Sequence, residues 1–274
     1  MFNTASSEVK NYTYRLKDGR VCNFDVKNDD AIDSIVSGNK WRKLKLNIAY
    51  AVQNKMIGVL TFGGAHSNHL VATAKAAQLA GLKSIGVVRG DELTIDSNET
   101  LRNCHQFGME LQFIPRNDFR EFTTLDYQPC LKDSYPGFHI VPEGGANFYG
   151  VIGCQEILKE LPSSANYDHV FVAAGTGTTA AGLALSLKDN QLLNVVSALK
   201  GDFHAEAIKK LIYYATFSEE ETVALMQDKI RFLGDYHFGG YAKYNEELIE
   251  FMRDVAEQLS LFVDPIYSAK ALYA

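Results

Sequence analysis

The sequence of 274 residues is long enough for one large or two modest domains, and its 46 % hydrophobic and 22 % charged content is typical of a globular protein of enzyme size. A net charge of −6 argues against a nucleic-acid or anionic-membrane partner, because such partners select a basic surface. The sequence contains no apolar run of about 18 residues, the length that a membrane span needs.

The N-terminal residues and the cysteines predict a cytoplasmic protein. Residues 1–5 show no charged segment leading into an apolar core, so we expect no secretory signal. The four cysteines are scattered without a Cys-x-x-Cys pair, at Cys22, Cys104, Cys130 and Cys154. In a chain of this size such cysteines are expected to be reduced thiols and not a disulfide framework.

The first informative segment in chain order is residues 37–43, Ser-Gly-Asn-Lys-Trp-Arg-Lys. Its first three residues are of types that begin helices, and Leu44, Ile48 and Val52 follow at helical spacing. The cations Lys40, Arg42 and Lys43 crowd a helix N-terminus, and the partial positive charge of that terminus repels them. Such a helix start suits an anion, or a lysine amine that forms a Schiff base with a carbonyl. A solvated basic face is the alternative interpretation.

From residue 57 onward, short apolar runs alternate with helical patterns. Strands are predicted at 58–62, 84–88, 111–114, 138–141, 169–172 and 193–197, and helices at 67–79, 98–107, 149–161, after 175–179 and at 246–259. This alternation predicts parallel βαβ units with right-handed crossovers, which bind ligands at the carboxyl ends of their strands. After about residue 200 the pattern predicts mainly helix.

The loop at residues 63–66, Gly-Gly-Ala-His, leads into Ser67, Asn68 and His69 at a predicted helix start. Ser67 is either a helix N-cap alone or a serine that binds a carboxylate or transfers a proton. A hydrolase nucleophile is disfavoured because the Gly-x-Ser-x-Gly motif is absent. His66 and His69 have a spacing that could bind a metal, but no third ligand suggests itself nearby, so no metal is expected.

The strongest anion-binding signal is residues 175–179, Gly-Thr-Gly-Thr-Thr, between a strand and a helix. Two glycines let backbone N–H groups approach a ligand, the threonines add hydroxyl donors, and the helix dipole favours a phosphate. No Gly-Lys-Ser/Thr follows, and Ala180 replaces the last glycine of a dinucleotide fingerprint. A phosphate monoester fits better than a nicotinamide cofactor, and a purely structural turn is the alternative.

Five segments together resemble the tryptophan-synthase-β-like (fold type II) pyridoxal-phosphate (PLP) enzymes, and most closely the branch of 1-aminocyclopropane-1-carboxylate (ACC) deaminase and D-cysteine desulfhydrase. They stand in the family's order at 37–43, 63–69, 142–145 (Pro-Glu-Gly-Gly), 175–179 and 264–267 (Asp-Pro-Ile-Tyr). The resemblance implies an α/β fold of two open, twisted, mostly parallel sheets flanked by helices. It implies a large PLP-binding domain from 1–55 and 147–274, a small intercalated α/β domain at 56–146, and a homodimer.

The resemblance also implies a role for each matching residue. Lys40 would be the Schiff-base lysine. The cofactor phosphate would be bound by Gly175, Thr176, Gly177, Thr178 and Thr179, with help from Lys43. Ser67, Asn68 and His69 would hold the carboxylate of a small amino-acid substrate, with Asn68 also beside the cofactor ring oxygen. Tyr241 and Tyr267 would line the ring and the substrate pocket. Lys40, Ser67, Tyr241 and Tyr267 are therefore the expected catalytic residues, and Arg42 has no assigned role.

Ser268 departs from the deaminase pattern, in which this position resembles a glutamate that meets the pyridine nitrogen. A carboxylate there keeps the nitrogen protonated, whereas a serine can only donate to, or share, a hydrogen bond with a neutral nitrogen. The weaker electron sink suits α-proton removal with β-elimination better than opening a cyclopropane ring. His69 also resembles the desulfhydrase side. The sequence therefore predicts a lyase that converts D-cysteine to pyruvate, sulfide and ammonia.

Two alternatives remain open. Within the same fold, the protein would be an ACC deaminase. From another class, it would be a catalytically degenerate PLP- or amino-acid-binding protein. Family members resemble one another for a further strand and a Gly-Gly segment beyond the position of Ser268, whereas the given sequence stops at Ala274.

Overall fold

A computed structural model describes residues 4–123, 128–162, 166–201 and 203–274. The chain forms two compact units, Met1–Ser6 with Asp29–Gly153 (unit 1) and Ser7–Asn28 with Cys154–Ala274 (unit 2). The first predicted helix, near residue 40, belongs to unit 1, together with the residues of the predicted small domain. The predicted domain boundaries, at 55/56 and 146/147, stay a prediction.

The described residues form strands and helices in the following order. The strands are β1 (Val9–Arg15), β2 (Val21–Lys27), β3 (Gly58–Gly64), β4 (Lys83–Arg89), β5 (Met109–Ile114), β6 (Phe138–Val141), β7 (His169–Ala174), β8 (Leu192–Ser197) and β9 (Ile230–Leu233). The helices are α1 (Asn39–Gln53), α2 (Asn68–Leu79), α3 (Glu99–Gln106), α4 (Arg116–Phe122), α5 (Gln128–Ser134), α6 (Phe148–Lys159), α7 (Thr178–Ala184), α8 (Phe203–Thr216), α9 (Glu219–Ala224), α10 (Glu246–Leu259) and α11 (Ser268–Tyr273).

Unit 1 is built on a parallel four-stranded sheet in the order β5-β4-β3-β6. Neighbouring residues of β3 point to opposite faces: Val59 packs with Leu44 and Ile48 of α1, while Leu60 packs with Phe119 of α4. Helices thus cover both faces, which is why β3 is a continuous apolar run buried along nearly its whole length. The prediction of parallel sheets flanked by helices is confirmed.

Unit 2 contains a parallel three-stranded sheet in the order β7-β8-β9 and a separate antiparallel hairpin of β1 and β2. The hairpin is fixed to α10, where the Tyr14 hydroxyl donates to Asp254 at 2.5 Å and Gln258 donates to the Arg15 carbonyl at 3.1 Å. The sequence patterns predict neither the hairpin nor β9. The hairpin is half exposed, and β9 has only four residues in a region that is otherwise helical.

Two further findings concern membrane-spanning helices and the cysteines. Among the described residues, no helix combines the length and the apolar character that crossing a bilayer demands. All four cysteines are free thiols, exposed at Cys22 and Cys130 and buried at Cys104 and Cys154.

Candidate active site

Lys40 stands in the first turn of α1, after a backbone turn that only glycine adopts readily. Gly38 has φ +58°, and a Cβ there would lie 2.9 Å from a carboxylate oxygen of Asp30. Lys40 itself is half-buried, and its Nζ donates to the Asn39 side-chain oxygen at 2.9 Å. The three residues that follow are only 3 %, 0 % and 7 % exposed, at Trp41, Arg42 and Lys43. A solvated basic face is therefore excluded.

Arg42, which the sequence leaves without a role, has a structural one. Its Nε and Nη2 donate to the two carboxylate oxygens of Asp29 at 3.2 and 2.9 Å. The arginine is fully buried and the Asp29 side chain is 11 % exposed. The helix dipole disfavours a cation at the helix start, and the Asp29 carboxylate compensates the charge of Arg42 there.

Lys43 and His69 lie together against the Gly144–Gly145 turn of unit 1. A Cβ on Gly145, which has φ +68°, would lie 2.9 Å from Lys43 Cβ and 3.6 Å from the His69 ring. Burial lowers the pKa of His69 to about 3, with the charges of Lys43 and Lys40 adding to the effect and the Pro142 carbonyl opposing it. Unit 1 therefore brings Lys40, Lys43 and His69 into one electrostatic neighbourhood, with His69 neutral at physiological pH.

Ser67 is the N-cap of α2, since its side chain accepts the Leu70 N–H at 3.4 Å. Gly63 makes room for it, because a Cβ at Gly63 would lie 2.6 Å from Ser67 Oγ. Asn68 is exposed and, with Ser37, lines a cavity of about 230 Å³ in unit 1. Ser67 therefore caps α2 as a hydrogen-bond acceptor, a bond that does not use its hydroxyl hydrogen, and its predicted role toward a carboxylate stays a prediction.

The two histidines of this segment differ in environment. His66 is exposed, whereas His69 is buried with its Nε2 3.0 Å from the Thr61 hydroxyl. In the part of the chain that the structure describes, no three histidine, cysteine or acidic residues are grouped so as to hold a metal ion.

In unit 2 the segment 175–179 connects β7 to α7. Gly177 is left-handed, with φ +83°, and a Cβ on it would lie 2.8 Å from Ile208 Cγ1. The Thr176 and Thr178 hydroxyls lie 3.1 Å apart, and Thr178 and Thr179 are buried. Glycine is required here by backbone conformation and by packing, so the segment is a shaped turn that presents two threonine hydroxyls together.

Both predicted tyrosines belong to the same neighbourhood in unit 2. A Cβ on Gly175 would lie 3.3 Å from the ring and the hydroxyl of Tyr267, so this tyrosine covers the glycine. Tyr241 meets Tyr267 edge to face, with the ring centroids 6.3 Å apart, and is 49 % exposed. Unit 2 therefore brings together residues 175–179 and the pair Tyr241 and Tyr267.

Ser268, the N-terminal residue of α11, is bonded to Asp264. Its hydroxyl donates to Asp264 Oδ2 at 2.5 Å, and the same carboxylate accepts the backbone N–H groups of Ile266, Tyr267 and Ser268 at 2.8 to 2.9 Å. Burial raises the pKa of Asp264, but these hydrogen bonds outweigh it and leave the pKa below its usual value. Sequence patterns assign no role to Asp264. Aspartate is nevertheless a common turn residue, because its side chain can accept the backbone N–H of the second residue after it.

The fold and these residues define an α/β enzyme with a half-buried amine at a helix start in one unit and a glycine-threonine turn flanked by tyrosines in the other. The chain belongs to the pyridoxal-phosphate dependent enzymes, because the model of that family matches residues 14–274. It is therefore a PLP-dependent enzyme, as the sequence predicts.

Similar proteins narrow the branch of the family. A Pyrococcus horikoshii protein provisionally named a 1-aminocyclopropane-1-carboxylate deaminase is 31 % identical over 256 residues, covering 90 % of this chain and 77 % of its own. The bifunctional D-cysteine desulfhydrase/1-aminocyclopropane-1-carboxylate deaminase of Arabidopsis thaliana mitochondria is 28 % identical, covering 90 % of this chain and 65 % of its own. A crystal structure of an ACC deaminase homologue matches with TM-score 0.74 and 26 % identity, covering 92 % of this chain and 78 % of its own.

Each unit, taken by itself, contains groups of the kinds that PLP needs. The cofactor needs an amine for its aldehyde, donors for its phosphate and flat surfaces for its ring. Unit 1 supplies the amine of Lys40 and the buried ammonium of Lys43, whose stem packs against Gly145. Unit 2 supplies the paired threonine hydroxyls and the Tyr267 ring against Gly175.

Proposed function

We propose that this enzyme is a lyase that eliminates sulfide from D-cysteine, giving pyruvate and ammonia, with the ACC deaminase reaction as the alternative. The observation that carries the lyase proposal is Lys40 beside the buried Lys43 and neutral His69, in a chain whose residues 14–274 match a PLP enzyme family. The preference for D-cysteine is supported by Ser268, a neutral residue where the deaminase pattern has a carboxylate.

Bound PLP would supply an electron sink for the carbanion that forms at the substrate Cα. Lys40 Nζ would hold the cofactor through its aldehyde carbon and would act as the base that takes the Cα proton of the substrate. Breaking the Cβ–S bond then releases the thiolate, which leaves as sulfide. Water hydrolyses the remaining aminoacrylate to pyruvate and ammonia, so the overall reaction consumes one water and needs no oxidant.

We propose that the phosphate is bound by residues 175–179 and Lys43. The support is the closely spaced pair of Thr176 and Thr178 hydroxyls, 3.1 Å apart on a turn that Gly177 shapes, and the burial of Lys43 to 7 % exposure.

We propose that Ser67 and Asn68 bind the substrate carboxylate. Both stand at the N-terminus of α2, a helix of twelve residues whose first N–H groups favour an anion. His69 contributes to this site as a neutral ring, because its pKa of about 3 leaves it uncharged near pH 7. Its part is therefore to position groups through the bond with Thr61 and not to attract the carboxylate by charge.

Tyr241 and Tyr267 are proposed to line the ring and the substrate. Their edge-to-face contact and the seat of Tyr267 on Gly175 support one shared surface in unit 2. We further propose a cytoplasmic homodimer, on the family resemblance and the four free thiols. Light scattering of the purified protein tests the dimer.

A substrate panel on the PLP-loaded protein tests the function. We expect sulfide and pyruvate from D-cysteine, and loss of both in Lys40→Ala but not in Lys45→Ala, which alters a partly exposed lysine on the same helix. Formation of 2-oxobutanoate from ACC without sulfide from D-cysteine would make the protein a deaminase. Ligand-dependent thermal stabilisation without any product would make it a binding protein and would overturn the lyase proposal.

A further inference from the structure

Lys270 of α11 carries a charge into the interior of unit 2. Its side chain is 0 % exposed, and its Nζ donates to the backbone carbonyls of His237, Gly240 and Ala198 at 2.8, 2.9 and 3.3 Å. An ammonium group has three N–H donors and no acceptor, so three carbonyls satisfy it completely. Burial lowers the pKa of Lys270 while the charge of Asp264 opposes that effect.

Two of these carbonyls belong to a strained segment, residues 237–242. Four of its residues have left-handed backbones: Phe238 at φ +51°, Gly239 at +96°, Gly240 at +116° and Ala242 at +53°. Side-chain-bearing residues adopt this region at a cost, so such a segment persists only where its surroundings hold it. Lys270 bonds to the chain on both sides of Gly239 and thereby links the segment to the end of β8.

Tyr241 stands inside this segment, directly after one of the Lys270 contacts. The Gly240 carbonyl that accepts a hydrogen bond from Lys270 Nζ is part of the peptide bond to Tyr241. Tyr241 is half exposed, and its ring contacts the ring of Tyr267. The position of its ring therefore depends on how firmly the backbone of this segment is held.

We propose that Lys270 is a positioning residue whose ammonium group, acting as an internal monovalent cation on three carbonyls, sets the backbone that presents Tyr241. This inference rests on the proposed role of Tyr241 in lining the substrate site. Sequence patterns assign Lys270 no function. Its buried ammonium group is stabilised by the three backbone carbonyls that accept its hydrogen bonds.

Chemical rescue of Lys270→Ala tests the proposal. The variant leaves a space shaped like n-propylammonium over the three carbonyls, which hold cations as rings of carbonyl oxygens do in ion channels. The PLP-loaded wild type, Lys270→Ala and Lys229→Ala are compared in n-propylammonium, ammonium or tetramethylammonium chloride at equal ionic strength. Lys229 is the matched control, because its Nζ also donates to backbone carbonyls, those of Lys188 and Asp189, but the residue is only partly buried.

We expect kcat of Lys270→Ala to fall about tenfold or more with the bound-PLP absorbance retained, since small displacements of site groups cost this much. n-Propylammonium should restore most of kcat and raise the melting temperature, ammonium should do so in part, and tetramethylammonium should do neither. Lys229→Ala should resemble the wild type in all three salts. Wild-type kcat in Lys270→Ala, or a loss that no amine reverses in the folded variant, would overturn the proposal.

Two arms keep this test separate from the proposed function. If the wild type turns over neither D-cysteine nor ACC, the lyase proposal fails, while amine-selective stabilisation of Lys270→Ala still decides for or against the carbonyl site. If Lys270→Ala does not fold without amine, recovery of folded protein only with n-propylammonium supports the proposal. If no amine gives folded Lys270→Ala, Lys270→Gln with wild-type kcat would contradict it, and Lys270→Gln with lowered kcat and retained PLP absorbance would support it.

Discussion

Asp264 and Ser268 exchange hydrogen bonds in both directions: the Ser268 hydroxyl donates to Asp264 Oδ2 at 2.5 Å and accepts the Asp264 N–H at 2.8 Å. The single hydroxyl hydrogen of Ser268 is therefore engaged, and its oxygen retains only acceptor capacity. A neutral ring nitrogen needs a donor, so Ser268 can serve it only by turning its hydrogen away from Asp264. The Asp264 carboxylate therefore controls whether Ser268, at the position of the glutamate in the deaminase pattern, can donate a hydrogen bond to the ring.

Replacing Asp264 with Asn should destabilise the protein by about 1 kcal/mol at pH 7, because charge-assisted hydrogen bonds weaken and the group is exposed enough for solvent to reduce their value. The pKa of Asp264 is lowered in the folded protein, so its stabilisation is present above the unfolded value of about 3.9 and is lost as the pH falls through the folded value. Urea midpoints of the two proteins should converge below about pH 4. Ser268→Ala is the comparison, with a smaller effect because three backbone bonds remain.

His69 should remain neutral far below the ordinary range of histidine. Its pKa is lowered to about 3 by burial and by Lys43 and Lys40, so between about pH 6.5 and that value the unfolded chain takes up a proton that the folded protein does not. Stability therefore falls as the pH falls through this window, and His69→Gln should flatten the decline. In cofactor-free protein the His69 imidazole NMR signal should not shift between pH 8 and about pH 4; a titration near pH 6.5 would contradict this account.

The Arg42–Asp29 pair should be costly to break from one side. Asp29→Asn leaves a fully buried guanidinium without its carboxylate, and we expect a loss of about 3 kcal/mol in unfolding free energy. Asp18→Asn is the matched control, since Asp18 pairs with Arg20 at 2.7 Å on the surface, where solvent screens the pair, and its loss should lower the urea midpoint far less. Equal urea midpoints for the two variants would mean that burial of Arg42 is not what gives this pair its weight.

Substitution of Gly145 by alanine should cost more unfolding free energy than its backbone angle alone accounts for. An alanine there meets Lys43 Cβ at 2.9 Å at φ +68°, whereas an alanine at Gly19, with φ +86°, has nothing within 4 Å. Both variants should lose about 1 kcal/mol to backbone strain, and Gly145→Ala should lose more as Lys43 moves. PLP titrations should show weaker binding only in Gly145→Ala. Unchanged PLP affinity in that variant would mean that Lys43 does not bind the phosphate.

Sequence patterns identify the parts of this protein that obey local rules. The strands β3 to β8 are short apolar runs because helices cover their sheets, so periodicity and turn residues reveal them. The hairpin of β1 and β2 is half exposed and obeys no such rule. The same distinction holds at the site: the glycine-bearing motifs are visible because their backbone geometry demands particular residues, as at Gly145 and Gly177.

Contacts between distant segments are what the sequence conceals. Arg42 finds its carboxylate thirteen residues earlier, in a short 3-10 helix that no pattern marks. Lys270 is still less predictable, because its partners are backbone carbonyls 30 to 72 residues away, and a carbonyl carries no residue identity. The polar pattern around residues 40–43 favours a solvated face until burial is known, and only the fold shows that Arg42 and Lys43 are buried.

Lys40 is the lysine to which PLP is expected to attach covalently, and the site of attachment can be mapped directly. The PLP-loaded protein is reduced with borohydride, digested and analysed by peptide mass spectrometry, with Lys40→Ala treated in parallel. We expect a phosphopyridoxyl group on Lys40 in the wild type and on no lysine of the variant. A label on Lys43 or another lysine, or a Lys40→Ala protein labelled like the wild type, would contradict it.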